Sequence, residues 1–280
     1  MMATDTISNL QSSKTKEFYE DAAKYWSQVP PTINGMLGGF GQISATDIHG
    51  SKSLLKQLFS SKQFPGRGYA LDCGAGIGRI TRFLLCNLFD KVDMVEQNPL
   101  FLEAAKNYIG PSLMERKIGE MFAVGLQNFV PEAEKYDVIW IQWVLGHLTN
   151  TDFVQFFTNC RNGLKPNGLI VVKENITSTD SIEVDERDSS MTRPIGVLKD
   201  LFRQAGLDCF RVTKQLNFPK GIYSVYMFVL KPSQFNAVIR DVKSGDTGSS
   251  GEIPPESSDV DNNSSLLQPE DVVDKRRKFC

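Results

Sequence analysis

The 280-residue chain lacks the features of a secreted or membrane-bound protein. Its five cysteines are scattered and include no C-x-x-C pair, which argues against a disulfide framework or a cysteine-based zinc site. No stretch approaches the roughly 18 apolar residues that a membrane span needs, and the polar residues 1–20 predict no signal peptide. We therefore expect an intracellular protein with free thiols, no membrane segment and no bound metal.

An excess of either charge is also missing, since 31 Lys and Arg residues stand against 33 Asp and Glu residues. The formal net charge is −2, whereas proteins that bind the nucleic-acid backbone usually carry a clear basic excess. We therefore expect no direct binding of nucleic acid.

The length suits one α/β domain with appendages rather than two full domains.

From residue 68 onward, strand-like apolar runs alternate with helix-like patterns, which is typical of a parallel sheet with helices on both faces. Two closing runs without a helix between them indicate an antiparallel hairpin at one edge. A turn is expected at 166–168, and Ser44 is expected to cap the second helix. The predicted strands cover residues 69–72, 92–96, a short run near 123–124, 136–142, 169–173, 209–216 and 223–230. The predicted helices cover residues 15–28, 45–59, 77–88, 99–108, 152–164 and 195–205.

Composition divides the chain into four predicted parts. Residues 1–14 are expected to be disordered, 15–67 to form a helical and lid segment, and 68–232 to form the core domain. Residues 233–280 form a tail rich in Ser, Gly, Asp, Asn and Pro, which is typical of disorder. The basic run at 275–278 fits either a nuclear-import signal or a solvated basic tip. The apolar, glycine-rich loop at 32–41 fits either a lid over a pocket or a buried connection.

The most informative stretch joins the first strand to the next helix. Asp72 precedes Gly74, Gly76 and Gly78, and Arg79 follows them. Glycine permits positive φ and close approach of a ligand to the backbone, and the start of a helix offers free N–H groups. The spacing is G-x-G-x-G rather than the G-x-G-x-x-G of dinucleotide enzymes, and it resembles the first motif of class I S-adenosylmethionine (SAM) methyltransferases. That resemblance implies a Rossmann-like sheet of seven mostly parallel strands, preceded by a helical extension.

Ligands of open α/β sheets bind at the carboxyl ends of the strands, so the residues there are the candidates. Arg79 can pair with the carboxylate of SAM, and Glu96 stands about 20 residues after the glycine turn, where an acid accepts both ribose hydroxyls. Leu126 and Gln127 follow the third strand and can flank the adenine. Gln142 and Trp143 follow the fourth strand, beside the expected position of the methyl group.

The residues leave several interpretations of the methyl acceptor open. The Asn/Asp-Pro-Pro-Tyr/Phe run of methylases that act on DNA bases or glutamine is absent after the fourth strand, which disfavours that class. The acidic loop at 180–190 can attract a cationic substrate and supply a proton acceptor, or it can be a solvated loop. His147 fits a general base and a structural histidine equally well.

Several motifs together resemble the protein α-N-terminal methyltransferases, which methylate the N-terminal amine of proteins that begin Xaa-Pro-Lys or Xaa-Pro-Arg after removal of methionine. The resemblance covers roughly residues 18–230. The G-M-L-G-G and W-I-Q-W runs are much more specific than the glycine turn. The motifs are Tyr25-Trp26, Pro30-Pro31-Thr32, GMLGGFG at 35–41, LDCGAGIGRIT at 71–81, YDVIWIQWV at 136–144 and GHLT at 146–149.

The resemblance implies a SAM-dependent enzyme of the EC 2.1.1 class that adds up to three methyl groups to a primary amine and two to proline. It implies that Asp188 and His147 accept the proton of the amine, and that Asp185, Asp188 and Ser190 receive the basic third residue. It implies that SAM and the product S-adenosylhomocysteine contact Gly74, Arg79, Glu96, Leu126, Gln127 and Gln142. It implies that the first two peptide residues contact Trp26, Leu37, Trp143, Asn175, Ile222 and Tyr223.

Two departures from the family pattern are visible. Glu96 stands where members commonly have Asp, and the loop between Asn175 and Asp188 is one residue longer, which leaves 178–183 without assigned counterparts.

Chromatin and ribosomal proteins are the expected substrates, and nucleus and cytoplasm the expected locations. Two alternatives are kept: a small-molecule amine or oxygen methyltransferase of the same fold, and a non-catalytic module that reads basic N-termini.

Overall fold

The computed structural model describes residues 2–60 and 66–233, with side chains from residue 13 onward. Its centre is a seven-stranded sheet of order β3-β2-β1-β4-β5-β9-β8. Strands β5 and β8 both pair antiparallel with β9, and the other pairs are parallel, so only β9 runs against the rest. The predicted mostly parallel sheet with an edge hairpin is therefore confirmed. The strands are β1 (Tyr69–Cys73), β2 (Lys91–Glu96), β3 (Ile118–Ala123), β4 (Tyr136–Gln142), β5 (Leu164–Ile176), β6 (Glu183–Asp185), β7 (Ser190–Thr192), β8 (Leu207–Lys214) and β9 (Ser224–Pro232).

Helices cover both faces of the sheet because alternate residues of each strand point to opposite sides. Leu71 of β1 belongs to one apolar core and Ala70 to the other. The first core contains the buried side chains of α7 and α8, and the second contains those of α3 and α5. The helices are α1 (Met2–Ser27), α2 (Ile33–Met36), α3 (Ser44–Phe59), α4 (Arg79–Phe83), α5 (Pro99–Ile109), α6 (Pro111–Lys117), α7 (Asn150–Gly163) and α8 (Ile195–Gln204).

Several predicted boundaries differ from the structure. Helix α1 begins at Met2 rather than at residue 15, and the helix predicted at 77–88 is split into the short α4 and a 3₁₀ turn at Leu85–Asn87. Helix α6 was not predicted, and β3 ends rather than begins at Ala123. The turn predicted at 166–168 lies inside the long strand β5, where Asn167 has φ 66° and the pairing with β4 shifts register. A bulge thus replaces the expected break, because β4 still pairs on both sides of it.

The segment before the sheet is more ordered than a simple loop. Thr32 caps the short helix α2 by accepting a hydrogen bond from Gly35 N at 3.0 Å, and the Leu37 side chain is buried. The expected cap at Ser44 is wrong. A 3₁₀ turn at Gly41–Ile43 continues directly into α3, so Ser44 is already helical and its hydroxyl lies 3.4 Å from Arg79 Nη1.

The acidic loop is built as a small ribbon after β5. Strands β6 and β7 pair antiparallel with Asp185 opposite Ser190, and the ribbon joins the sheet through a bridge between Ile176 and Arg193. The predicted tail at 233–280 lies outside the described residues beyond Ser233, so its disorder stays a prediction. Within the described ranges, no helix is long and apolar enough to cross a membrane.

Candidate active site

A cleft with an empty volume of about 920 Å³, part of it open to solvent, lies at the carboxyl ends of β1, β2 and β4. All six residues predicted to contact SAM line it, as do Trp26, Trp143 and His147. Met36 and Phe101, which the sequence did not single out, line it as well. The six are Gly74, Arg79, Glu96, Leu126, Gln127 and Gln142.

The glycine turn forms the floor of this cleft. Gly74, Gly76 and Gly78 have φ of 72°, 54° and 81°, a region that side chains other than glycine rarely adopt. A Cβ added to Gly76 would lie 2.6 Å from Met36 Sδ, and one added to Gly74 would lie 2.7 Å from Val144 Cβ. The turn therefore has no room for side chains, and it keeps the backbone open to a ligand.

Glu96 is held at the end of β2 by the same turn. Its Oε2 accepts a hydrogen bond from Gly76 N at 3.0 Å, and its Oε1 accepts one from Asn98 N at 2.9 Å. Burial raises the pKa of this carboxyl, and the backbone donors oppose that rise. The result is an oriented carboxylate at the cleft wall, which suits a ligand with neighbouring hydroxyl groups.

Arg79 and Gln142 are held by Asp47, a buried residue of α3. Asp47 Oδ2 lies 2.7 Å from Arg79 Nη1, and Gln142 Nε2 donates to Asp47 Oδ1 at 2.9 Å. Gln142 Oε1 accepts from Trp140 Nε1 at 3.0 Å, and since the indole can only donate, the amide has one orientation. The guanidinium of Arg79 lies 5.7 Å from the Trp143 ring, within the range of a cation–π contact.

His147 uses both ring nitrogens. Its Nε2 lies 2.9 Å from Trp26 Nε1, which can only donate, and its Nδ1 lies 3.1 Å from the carbonyl oxygen of Ser189. The ring is therefore neutral, with its proton on Nδ1, and the lone pair of Nε2 accepts the indole N–H. For His147 to accept a proton, Trp26 must first withdraw its hydrogen bond. Its role as a proton acceptor stays a prediction.

The loop that carries Trp143 and His147 is fixed by two buried charged residues that the sequence did not predict. Glu174 Oε1 accepts from Val144 N at 2.9 Å and Leu145 N at 3.0 Å. Arg193 donates to the carbonyl oxygens of Leu145 at 2.9 Å and Leu148 at 2.6 Å. Burial raises the pKa of Glu174 to about 7 and lowers that of Arg193 to about 10. These bonds hold Trp143 in its left-handed conformation, φ 53°.

The acidic ribbon lies beside the cleft through the bond between His147 and Ser189. Asp188 is buried, and its Oδ1 accepts a hydrogen bond from Ser190 Oγ at 2.6 Å. Asp185 is only partly buried and accepts from Arg187 N at 3.0 Å in the ribbon turn. The structure therefore joins Asp188 to Ser190 and leaves Asp185 nearer to solvent.

The other predicted peptide contacts form an adjoining wall. Leu37, Trp143 and Val225 are buried in one apolar cluster, against which Ile222 packs. Tyr223 donates a hydrogen bond from its hydroxyl to Glu183, and Asn175 is buried directly after Glu174. The cluster adjoins the cleft at Trp143, and the ribbon adjoins it at His147.

The charged residues that were not predicted from the sequence share one signal, which is a charged side chain on the apolar face of a helix or strand. Asp47 lies on the buried face of α3, four residues before Ser51 and in line with Leu54 and Leu58. Lys173 and Glu174 continue the apolar core strand β5 and are both buried. Charged residues are rarely buried unless paired, so this pattern indicates a network, although not its partners.

Comparison with known proteins gives consistent matches. A family model described as AdoMet dependent proline di-methyltransferase matches residues 14–231. The chain is 48% identical to "Alpha N-terminal protein methyltransferase 1" of Drosophila melanogaster, over 77% of each chain. It is 49% identical to "N-terminal Xaa-Pro-Lys N-methyltransferase 1" of Xenopus tropicalis, over 77% of this chain and 96% of the relative.

Solved structures agree on the fold. A SAM-dependent methyltransferase of Leishmania major is 37% identical and superimposes with a TM-score of 0.71, covering 76% of this chain and 83% of that one. A mitomycin 7-O-methyltransferase is 18% identical with a TM-score of 0.54, covering 76% and 60% of the two chains, and it shows the fold alone.

Proposed function

The chain belongs to the family of AdoMet-dependent proline di-methyltransferases, and we propose that it methylates the α-amine of proteins that begin Xaa-Pro-Lys or Xaa-Pro-Arg. The Drosophila relative, named as an alpha N-terminal protein methyltransferase, supports the α-amine as acceptor, and the Xenopus relative, named as an N-terminal Xaa-Pro-Lys N-methyltransferase, supports the motif. Chromatin and ribosomal proteins as substrates, and nucleus and cytoplasm as locations, belong to the same proposal.

The cleft fits SAM as the methyl donor. The glycine turn presents bare backbone at positions where a Cβ would clash, and Glu96 presents a carboxylate suited to two ribose hydroxyls. Arg79 supplies a cation for the carboxylate of the amino-acid part, and Leu126 and Gln127 line the wall expected to hold the adenine. SAM supplies the activated methyl group on its sulfonium, so the protein has to orient and deprotonate the acceptor.

The single observation that carries the choice of substrate is the position of the acidic ribbon. The hydrogen bond between His147 Nδ1 and Ser189 O joins the ribbon to a residue that lines the cleft, and Asp188 and Ser190 are the chain neighbours of Ser189. A cationic side chain at the third peptide position can pair with Asp188, and Asp185 extends the same charge toward solvent. A proline at the second position fits the apolar cluster of Leu37, Trp143 and Ile222.

Deprotonation of the amine is the main chemical task. A free α-amine has a pKa of about 7.7–8.0, so most of it is protonated near neutral pH and cannot attack a sulfonium. Asp188 is the better placed acceptor because it is already a buried carboxylate oriented by Ser190, whereas the lone pair of His147 faces Trp26. We propose that Asp188 takes the proton directly and that His147 accepts one once the peptide displaces the indole bond.

The proposal is tested by incubating the full chain with SAM and a matched set of hexapeptides. A peptide that begins Ala-Pro-Lys should gain methyl groups, whereas one with an acetylated amine or with glycine in place of proline should gain few or none. A peptide with Glu at the third position should have a much lower kcat/KM. Equal rates on all four would favour a small-molecule methyltransferase, and SAM binding without methylation of any would favour a non-catalytic module.

A further inference from the structure

Beneath the cleft lies a buried cluster of three charged side chains, which we call the charge triad: Asp47, Arg79 and Lys173. Asp47 pairs with Arg79 at 2.7 Å and with Lys173 at 2.5 Å. The side chains of Asp47 and Lys173 are fully buried and that of Arg79 is 6% exposed, but only Arg79 lines the cleft. Charged groups are buried at a high desolvation cost, so such a cluster needs a reason.

Oxygen acceptors surround the Lys173 ammonium; burial lowers its pKa, and the charge and hydrogen bond of Asp47 oppose that shift. Lys173 Nζ contacts the side-chain Oδ1 of Asp47, the backbone oxygen of Asp47 at 3.0 Å and Gln215 Oε1 at 2.7 Å. Ser51 Oγ is a fourth acceptor at 2.9 Å, since its own proton goes to the backbone oxygen of Asp47, so acceptors are in reach of all three ammonium protons. The Gln215 amide is oriented independently, since its Nε2 donates to the backbone oxygen of Leu216 at 2.8 Å.

The triad consequently has one more positive than negative charge. One carboxylate cannot neutralise two cations, and Lys173 takes Oδ1 while Arg79 takes Oδ2. Asp72 also lines the cleft and interacts electrostatically with Arg79; burial raises the pKa of Asp72 to about 6, and Thr81 Oγ1 donates to its Oδ2 at 2.6 Å. Among the described residues, no ion pair joins Asp72 to Arg79. Of the three residues of the triad, only Arg79 lines the cleft, so the positive charge of the triad acts there through its guanidinium, opposed by the charge of Asp72.

We propose that Lys173 is a positioning residue of the cofactor site, which acts through Asp47 to keep the charge of Arg79 available for a ligand carboxylate. Without Lys173, Asp47 and Arg79 form a closed pair of zero net charge. With Lys173, Asp47 orients Arg79 and Gln142 but does not cancel the attraction for an anion. The inference rests on the proposed function in one respect, that Arg79 receives the carboxylate of SAM.

Two nucleosides separate this role from a structural one. S-Adenosylhomocysteine carries the carboxylate, whereas 5′-methylthioadenosine has the same adenine and ribose without the amino-acid part. Calorimetric titration of Lys173→Met should show affinity for S-adenosylhomocysteine lowered about tenfold or more, because one unit of nearby positive charge is removed. Affinity for 5′-methylthioadenosine should stay within about twofold. Lys173→Gln carries the same test if the methionine variant does not fold.

The decisive measurement is the double variant Asp47→Asn with Lys173→Met. It removes one charge of each sign, so Arg79 again has an uncompensated charge and affinity for S-adenosylhomocysteine should recover substantially from that of Lys173→Met. Replacing a buried ion pair by uncharged residues of similar volume is often close to neutral for stability, so this variant is expected to fold. Lys135→Met is the matched control, because Lys135 pairs with the buried Asp93 at 2.9 Å away from the cleft.

The outcomes separate the two claims. The role of Lys173 would be overturned if Lys173→Met lost affinity for both nucleosides equally or for neither. It would also be overturned if the double variant bound S-adenosylhomocysteine more weakly than Lys173→Met does. Failure of the unsubstituted protein to bind S-adenosylhomocysteine would instead overturn the proposed function itself. Lys135→Met should bind both nucleosides as the unsubstituted protein does, and a loss there would show that the assay reports general damage.

Discussion

Replacing Glu174 by glutamine should make the stability of the protein less dependent on pH. Glu174 is buried under the loop that carries Trp143, and burial raises its pKa from the ordinary 4.5 to about 7. Because the pKa of the folded state exceeds that of the unfolded state, the carboxyl stabilises the fold fully below about 4.5. That contribution is lost as the pH rises through about 7. Glutamine does not ionise, so its contribution is constant over this range.

The magnitude follows from the shift in proton affinity. A tenfold change in proton affinity is worth about 1.4 kcal/mol, so the rise from 4.5 to about 7 corresponds to roughly 3 kcal/mol of pH-dependent stability. For a domain of this size, that amounts to roughly 6 to 12 °C in Tm. Glutamine keeps an acceptor for Val144 N and Leu145 N, but its amide NH₂ would face Asn175 N, which can no longer donate to it. This lowers the stability of the variant by an amount that does not depend on pH.

The assay is thermal unfolding of both proteins between about pH 4.5 and 8. As the pH rises, the Tm of Glu174→Gln should increase relative to that of the unsubstituted protein, by up to roughly 6 to 12 °C. Glu103→Gln is the control, since Glu103 is exposed on α5 and its ion pair within the described ranges is with Lys106. Parallel curves for the unsubstituted protein and Glu174→Gln would refute the reasoning, whatever their constant offset.

Three further substitutions test the cleft. Asp188→Asn should lower kcat about a hundredfold or more with SAM affinity nearly unchanged, as expected for a lost proton acceptor; equal losses in both would mean a structural role. Gly76→Ala places a Cβ 2.6 Å from Met36 Sδ at a residue with φ 54°, so calorimetry should show weaker SAM binding while the peptide KM is preserved. Unchanged SAM affinity would contradict the role of the glycine turn in binding SAM. Trp26→Phe removes the indole donor to His147 Nε2, so nitrogen NMR should show a changed Nε2 shift while Ser189 O keeps the proton on Nδ1; an unchanged Nε2 shift would show that the indole does not bind the ring.

The strand ends were predictable because local signals mark them. The run at 136–142 is mostly apolar, begins after Lys135 and ends at Gln142, and β4 has those bounds. Gly74, Arg79, Glu96 and Gln142 were found because a parallel sheet brings the carboxyl ends of its strands to one edge. The position of each could therefore be argued from sequence spacing alone.

The supporting network could not be predicted because its members are far apart in the chain. Asp47 and Lys173 are 126 residues apart, yet they pair at 2.5 Å. No periodicity encodes that pairing, which depends on how α3 packs against the sheet. The same limit explains the split after α4 and the bulge in β5, which are set by tertiary packing and strand pairing rather than by local propensity.

The most direct test of the account is to locate the added methyl groups by tandem mass spectrometry on a peptide that begins Ala-Pro-Lys and carries a second, internal lysine. The account predicts that every methyl group transferred from SAM lies on the α-amine, with up to three there. A peptide beginning Pro-Pro-Lys should stop at two. Methyl groups on either lysine side chain, or methylation of the acetylated peptide, would contradict methylation of the α-amine.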